Sequence, residues 1–229
     1  MGQGQYDLAS VAVNRYVHAG SMTAGCHRVR PGPGEYGARM DLHEWIAADL
    51  ASVRGKLFDS VAALVPQERW HEQADAGGAT IAGLLLHIAR HQDLAVHVAV
   101  RNHEPLFGVH RQLLGLGDRP MGVGLSEAED RDATALVPAD ALRRYVEAVF
   151  DSTAAWLEQL GTLVLDSVPD ISRHLTERAG ITVDEFPWLH RMWGGQPIWW
   201  FVQWPVVGHA NAHVGEGISI RNRMGLSPF

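Results

Sequence analysis

Four stretches of the chain repeat apolar residues at the three- and four-residue steps of a helix, and this pattern most limits how the chain can fold. In the first stretch the apolar positions are Trp45, Ile46, Leu50, Val53, Leu57, Val61 and Leu64, and Pro66 ends the pattern. The periodicity predicts helices over residues 41–64, 80–102, 138–165 and 197–224. No stretch alternates clearly with the period of a strand. We therefore predict an all-α chain built as a four-helix bundle.

Two of the predicted helices carry further signals. The helix over 80–102 is apolar around much of its circumference, which predicts a central position. Pro205 lies inside the last helix and removes an intrahelical donor, which predicts a kink. Gly225 follows that helix at the position where a left-handed residue commonly ends one.

Two long connections separate the predicted helices, at residues 103–136 and 166–196. Connections of this length are uncommon unless they are functional or contain short helices, so 103–136 is a candidate lid. A run of tryptophans starts in the second connection: Trp188, Trp193, Trp199, Trp200 and Trp204. These rings either fill the core beside the kinked helix or form a wall around an apolar substrate, and core filling is the favoured interpretation.

Composition excludes several classes of protein. The chain has 229 residues and a formal net charge of −7, so it lacks the cationic field that gathers phosphates and we expect no nucleic-acid partner. Its longest apolar stretch, residues 197–207, is interrupted by Gln203 and is far shorter than the roughly 20 residues that span a bilayer, so we expect no membrane span. Cys26 is the only cysteine, which excludes an intramolecular disulfide and predicts a reducing cytoplasmic location.

Residues 1–39 differ from the rest because Gly, Arg and Pro are scattered through them without a sustained apolar pattern. They lack the apolar run of about 7–15 residues that a secretory signal peptide needs. Two interpretations stay open: a disordered extension, or a start assigned too far upstream, with Met40 as the true start. Residues 40–229 form the expected domain.

Two histidines in the last predicted helix are the sharpest local signal for chemistry. His209 and His213 are four residues apart, so their side chains share one helix face and can converge on one ion. Small neighbours surround them, which lets neighbouring backbone approach and leaves room for a ligand beside the helix: Gly208, Ala210, Ala212, Gly215 and Gly217. Glu216 follows three residues after His213 and is placed either to orient its imidazole or to act as an acid or base. The alternative is a solvated carboxylate on the helix surface.

A second histidine cluster lies in the apolar stripe of the helix over 80–102. His87 and His91 share a face there, and a histidine on such a face costs burial free energy unless it has a partner. Each is most simply a core histidine with a hydrogen-bond partner. Combined with the pair in the last helix, however, His87 would complete a three-histidine site with an open position for water or a thiolate.

These motifs resemble the DinB/YfiT-like metalloprotein superfamily. The resemblance rests on Leu86-His87-Ile88 and on His209-x-x-x-His213-x-Gly-Glu216 followed by Ile220-Arg-Asn-Arg-Met-Gly225, and it covers about residues 41–226. It implies an up-down-down-up four-helix bundle that holds a divalent metal through His87, His209 and His213. Zn is the first expectation, and Ni, Co and Fe suit the same three ligands. His91 has no counterpart in the family pattern.

Several members of this superfamily use a low-molecular-weight thiol, among them mycothiol- and bacillithiol-dependent S-transferases and mycothiol-dependent maleylpyruvate isomerase. The resemblance thus implies a thiol S-transferase or isomerase in which the metal lowers the pKa of a mycothiol-type cosubstrate, which attacks a small electrophile. Glu216 would assist proton transfer, and Arg191 and Arg221 are the candidates for contacting a carboxylate of thiol or substrate. The isomerase has an additional C-terminal domain, which we do not expect here.

Two other interpretations remain at this point. The bundle could bind a metal or small ligand without turnover, as a stress-response or self-associating protein, or it could be a metal-free interaction module. The excess of aromatic residues also makes a homodimer plausible.

Overall fold

The computed structural model describes residues 41–75, 77–117, 127–161 and 164–229. Every regular element in these ranges is helical, and none of them contains a strand, which confirms the all-α prediction for this part of the chain. No helix in the described ranges has both the length and the apolar character needed to cross a membrane. The predicted segment 1–39 lies outside the described residues, so its separation from 40–229 stays a prediction.

The helices follow the predicted order, with short helices in the two connections. The α-helices are α1 Leu42–Gly55, α2 Ile81–Asp93, α3 Phe107–His110, α4 Glu127–Thr134, α5 Ala139–Gln159, α6 Ile171–Ala179, α7 Pro187–Trp193, α8 Ile198–Phe201 and α9 His209–Arg223. A π-helical turn at Lys56–Val61 extends α1, another at Leu94–Val100 extends α2, and a third at Val202–Gly208 joins α8 to α9. Short 3₁₀ turns form at Ala62–Leu64 and Gln67–Arg69. The candidate lid over 103–136 therefore contains α3 and α4, and its residues 118–126 lie outside the described ranges.

Side-chain caps explain why the first two helices begin where the sequence predicts. Asp41 accepts a hydrogen bond from the backbone N–H of Glu44 at 2.8 Å, and the Glu44 carboxylate accepts one from the backbone N–H of Asp41 at 3.1 Å. Thr80 accepts from the backbone N–H of Gly83 at 3.0 Å. Each cap satisfies N–H groups that have no partner within the helix, so both starts are fixed locally.

The third predicted helix ends earlier than expected, and the fourth is interrupted by a π-helical turn. The predicted helix over 138–165 ends at Gln159, and the carbonyl of Leu165 instead accepts from the backbone N–H of Trp199 at 2.9 Å. Pro205 does interrupt the last helix, but the interruption takes the form of a π-helical turn between α8 and α9. Gly225 has φ of 77° after α9, as predicted for the end of that helix.

The four long helical segments contact one another around a shared apolar core. α5 packs against both α1 and α2, and α9 packs against α2 and against the turn that extends α1. The largest wholly buried side chains include Trp70, Ile81, Leu85, Tyr145, Phe150 and Trp193. α6 packs on the π-helical extension of α2, so the second connection also covers the core.

A buried carboxylate ties the start of the first connection to this core. Asp93 is wholly buried at the end of α2 and accepts from the backbone N–H groups of Leu106 at 2.9 Å and Phe107 at 2.7 Å. The hydroxyl of Tyr145 donates to the same carboxylate at 2.8 Å, and Nδ1 of His97 lies 2.9 Å from it. A buried carboxylate needs such partners, because an unpaired charge there would be very costly.

Candidate metal centre

Three histidines from α2 and α9 meet at one point. His87, His209 and His213 each offer a ring nitrogen, and these nitrogens all lie within 4.8 Å of one another. Nε2 of His87 is 3.1 Å from Nε2 of His209. Two imidazole nitrogens that share one tetrahedral zinc ion lie about 3.3 Å apart, because each Zn–N bond is about 2.0–2.1 Å. The histidines that the sequence analysis selected are therefore brought together at a spacing that suits a metal ion.

A glycine in α9 allows the helices to approach this closely. A Cβ atom on Gly217 would lie 2.9 Å from Cδ2 of Leu84 and 2.9 Å from Cγ1 of Val61, so a larger residue would push α9 away from α2. A Cβ atom on Gly208 would lie 2.9 Å from the Trp204 ring. The expectation that small residues allow close approach is confirmed at Gly217. The contact of Gly208 is with Trp204 in its own π-helical turn, and the position of a Cβ on Gly215 is open.

Glu216 fixes the orientation of one predicted ligand. Nδ1 of His213 donates a hydrogen bond to Oε2 of Glu216 at 2.8 Å. A proton held on Nδ1 leaves the lone pair of Nε2 available for a metal, as carboxylate–histidine pairs do around metals in proteins. The hydrogen bond from His213 lowers the pKa of the Glu216 carboxyl, although partial burial opposes this shift. Of the two roles considered for Glu216, this contact matches the orienting one.

The surroundings of two of the three histidines, His87 and His209, favour the neutral imidazole. Burial is the main cause, and neighbouring imidazoles add to it: the pKa of His87 falls to about 4 and that of His209 to about 2. His87 still exposes part of its surface to solvent. Neutral imidazole is the form that binds metals, so these rings are ready to coordinate an ion at neutral pH.

A fourth histidine belongs to the same cluster. The ring of His91 stacks on that of His209, with centroids 3.7 Å apart and planes 21° from parallel. Trp193 packs against His91 at a centroid distance of 5.5 Å and an angle of 83°. Burial lowers the pKa of His91 to about 3. The sequence placed His91 on the same face as His87, but nothing in the sequence indicated that His91 would contact the last helix.

The tryptophans divide between core and surface. Trp193 is wholly buried, as the core-filling interpretation predicts, whereas Trp188 and Trp199 expose 43% and 47% of their surface. Trp204 is 39% exposed and lies beside the site, with its ring centroid 6.2 Å from that of His209. The run of tryptophans therefore has no single role, and two of its rings contact the histidine cluster.

The two predicted cofactor-binding arginines lie in different environments. Arg191 is exposed on α7. Arg221 is buried on α9, where its guanidinium donates to the backbone carbonyl of Ser60 and to the side chain of Asn222. The described contacts of Arg221 are thus with protein groups, and the role of either arginine towards a thiol stays a prediction.

Taken together, the helical frame and the converging imidazoles define a helical protein with a candidate three-histidine metal site. The family model of the DinB superfamily matches residues 49–215, a range that includes all three histidines. Because this match spans most of the chain, the chain belongs to the DinB superfamily.

One solved structure shows the same fold at low sequence similarity. The crystal structure of a conserved protein from Enterococcus faecalis matches with a TM-score of 0.56 and 17% identity, and the match covers 82% of this chain and 100% of that one. No curated protein matches the chain.

Proposed function

We propose that this chain is a divalent-metal-dependent enzyme that activates a mycothiol-type thiol for transfer to an electrophile or for an isomerisation. One observation carries the proposal: three imidazoles from two helices converge within 4.8 Å, and a carboxylate accepts a hydrogen bond from one of them. Three protein ligands are typical of catalytic metal sites, which keep a position open for water or substrate, whereas structural zinc sites use four.

Three histidines and one carboxylate have defined parts in this proposal. His87, His209 and His213 would hold the ion, and Glu216 would keep Nδ1 of His213 protonated. A metal bound there would lower the pKa of a coordinated thiol and so provide a thiolate nucleophile at neutral pH. Glu216 already has a lowered pKa, which favours the carboxylate as a hydrogen-bond acceptor over a proton donor at neutral pH.

The surroundings of the cluster suit a small apolar electrophile. Trp204 presents a partly exposed ring beside His209, so it offers an apolar surface at the edge of the site. His87 keeps an exposed surface through which a thiol would reach the ion. The thiolate would attack the electrophile with formation of a carbon–sulfur bond, and the electron pair would pass to the leaving group or into the conjugated system of the substrate.

The proposal has finer parts, some from the resemblance and others from the composition and residue types of the sequence. They are zinc as the first metal to test, with Ni, Co and Fe as alternatives, and the up-down-down-up order of the four long helices. They also include contact of Arg191 or Arg221 with a carboxylate of the thiol, a cytoplasmic location and a homodimer.

The first experiment measures metal content by elemental mass spectrometry on protein purified without a histidine tag. Wild type is compared with His87→Ala, His209→Ala and His213→Ala, and with His103→Ala as a control, because His103 is an exposed histidine outside the cluster. We expect near-stoichiometric metal in wild type and control and a loss in each cluster variant. A wild type that stays metal-free after incubation with Zn or Ni would refute the metal site.

The second experiment measures conjugation of mycothiol with monochlorobimane by the metal-loaded protein. We expect metal-dependent conjugation that His213→Ala abolishes and His103→Ala leaves unchanged. A metal-loaded protein that is inert with a panel of thiols and electrophiles would refute the transferase and isomerase proposal and favour metal binding without turnover.

A further inference from the structure

His91 contacts the predicted ligand His209 through the face of its ring. The centroids of the two imidazoles are 3.7 Å apart and their planes are 21° from parallel. The lone pair that binds a metal lies in the plane of an imidazole, so a ring stacked on the face of His209 does not share the ion that His209 holds. Consistent with this geometry, the group of converging nitrogens contains His87, His209 and His213 but not His91.

The backbone of the last helical segment provides a hydrogen-bond acceptor for His91. In a regular α-helix the N–H of His209 would donate to the carbonyl of Pro205, four residues earlier. The π-helical turn Val202–Gly208 changes this pattern, and the N–H of His209 donates to the carbonyl of Trp204 instead. The freed carbonyl of Pro205 accepts a hydrogen bond from the His91 ring. The turn that immediately precedes a predicted ligand thus also holds the ring that stacks on it.

A third contact confines the His91 ring. Trp193, wholly buried at the end of α7, packs against it nearly at a right angle with centroids 5.5 Å apart. His91 is therefore held by a carbonyl from the turn before α9 and by an indole from α7. Nδ1 of His209 is buried and has no hydrogen-bond partner in the described part of the chain, and the same is true of Nδ1 of His91. His213 has a carboxylate partner, whereas the shortest ring contact of His209 is its stack with His91, with centroids 3.7 Å apart.

We propose that His91 is a positioning residue for His209, which it orients by ring stacking while the Pro205 carbonyl and Trp193 hold His91 in place. The inference rests on the metal site of the proposed function but not on its thiol chemistry. Groups that orient metal-binding histidines typically change metal affinity about 10–100-fold when they are removed.

The test uses three substitutions that separate the ring from its hydrogen bond. His91→Ala removes both, His91→Gln keeps a donor for the Pro205 carbonyl without the ring, and His91→Phe keeps a ring without the donor. We expect zinc affinity, measured by competition with a chromophoric chelator, to fall about 10-fold or more in the Ala and Gln variants. We expect His91→Phe to recover part of that loss, and His103→Ala to bind zinc like wild type.

Spectroscopic readouts separate positioning from a general loss of stability. The positions of the visible absorption bands of the Co(II)-substituted protein report ligand geometry in folded molecules only, and we expect them to shift in the Ala and Gln variants. In metal-free protein, nitrogen-correlated NMR signals of the His209 ring should also shift in these variants but not in His103→Ala.

Three outcomes would overturn the inference. They are wild-type zinc affinity and Co(II) bands in His91→Ala and His91→Gln, a His91→Phe variant as impaired as His91→Ala, or His209 ring signals that ignore all three substitutions. The NMR arm also distinguishes this inference from the proposed function. A wild type that binds no metal refutes the metal site, whereas unmoved His209 signals refute the contribution of His91.

Discussion

Substitution of Gly217 by alanine tests whether close helix approach builds the metal site. Gly217 lies one turn after His213 on α9, and an added Cβ would come within 2.9 Å of both Leu84 on α2 and Val61 in the turn that follows α1. Both neighbours are buried, and the branched side chain of Val61 has little freedom to rotate away. We therefore expect Gly217→Ala to push α9 away from α2, and His213 away from His87.

Gly215 provides a matched control on the same helix, because an added Cβ there meets nothing within 4 Å. Alanine is more favourable than glycine inside a helix by about 1 kcal/mol, so Gly215→Ala should stabilise the protein by about that amount. At Gly217 the same gain is opposed by an overpacking cost of about 1–3 kcal/mol. The two variants should thus differ by about 1–3 kcal/mol, and each kcal/mol shifts Tm by about 2–4 °C in a protein of this size.

Thermal unfolding of the metal-free variants, followed by circular dichroism, measures this difference, and chelator competition measures zinc affinity. We expect Gly217→Ala to unfold several degrees below Gly215→Ala and to bind zinc more weakly, while Gly215→Ala binds zinc like wild type. Equal Tm and equal zinc affinity in the two variants would show that the contact of Gly217 with Leu84 and Val61 does not set the distance between α2 and α9.

Three further predictions concern buried or hydrogen-bonded side chains. Folding lowers the pKa of His91 to about 3 and that of His209 to about 2, so below pH 6.5 the unfolded chain binds more protons than the folded one. The free energy of unfolding of the metal-free protein, measured by urea denaturation, should therefore fall as the pH drops from 6.5 towards 3. A free energy of unfolding that does not change over this range would contradict those pKa values. Tyr145→Phe removes a donor from buried Asp93 and should cost about 1.5–3 kcal/mol in urea unfolding with zinc affinity unchanged; a stability equal to wild type would argue against that bond. Glu216→Ala should weaken zinc binding about 10–100-fold in a chelator competition, and wild-type affinity would remove Glu216 from the site.

The starts of the first two helices could be predicted because their signals are local. Asp41 with Glu44, and Thr80 with the N–H of Gly83, satisfy the helix start within a few residues of sequence. The end of α5 could not be predicted in this way. Apolar residues such as Leu165 continue the periodic pattern past Gln159, but Leu165 is buried and its carbonyl pairs with Trp199 at the start of α8. That contact joins distant parts of the chain and leaves no periodic signal.

The π-helical turns show a similar limit. Of the three described, only Val202–Gly208 contains a residue, Pro205, that signals an interruption. Lys56–Val61 and Leu94–Val100 resemble regular helix in the sequence, because apolar residues continue at three- and four-residue steps across both. Sequence periodicity thus predicts that a helix continues but not how its hydrogen bonds are arranged.

The two histidine pairs show why spacing alone does not identify a ligand. His87 with His91 and His209 with His213 have the same four-residue spacing, yet only the second pair contributes both rings to the converging group. The difference comes from the partner helix, because α9 presents the Nε2 edge of His209 to His87 and the face of the same ring to His91. The imidazole of His209 therefore shares its nitrogen edge with His87 and its ring face with His91. These contacts depend on how α2 and α9 pack against each other, which the spacing of histidines within one helix does not contain.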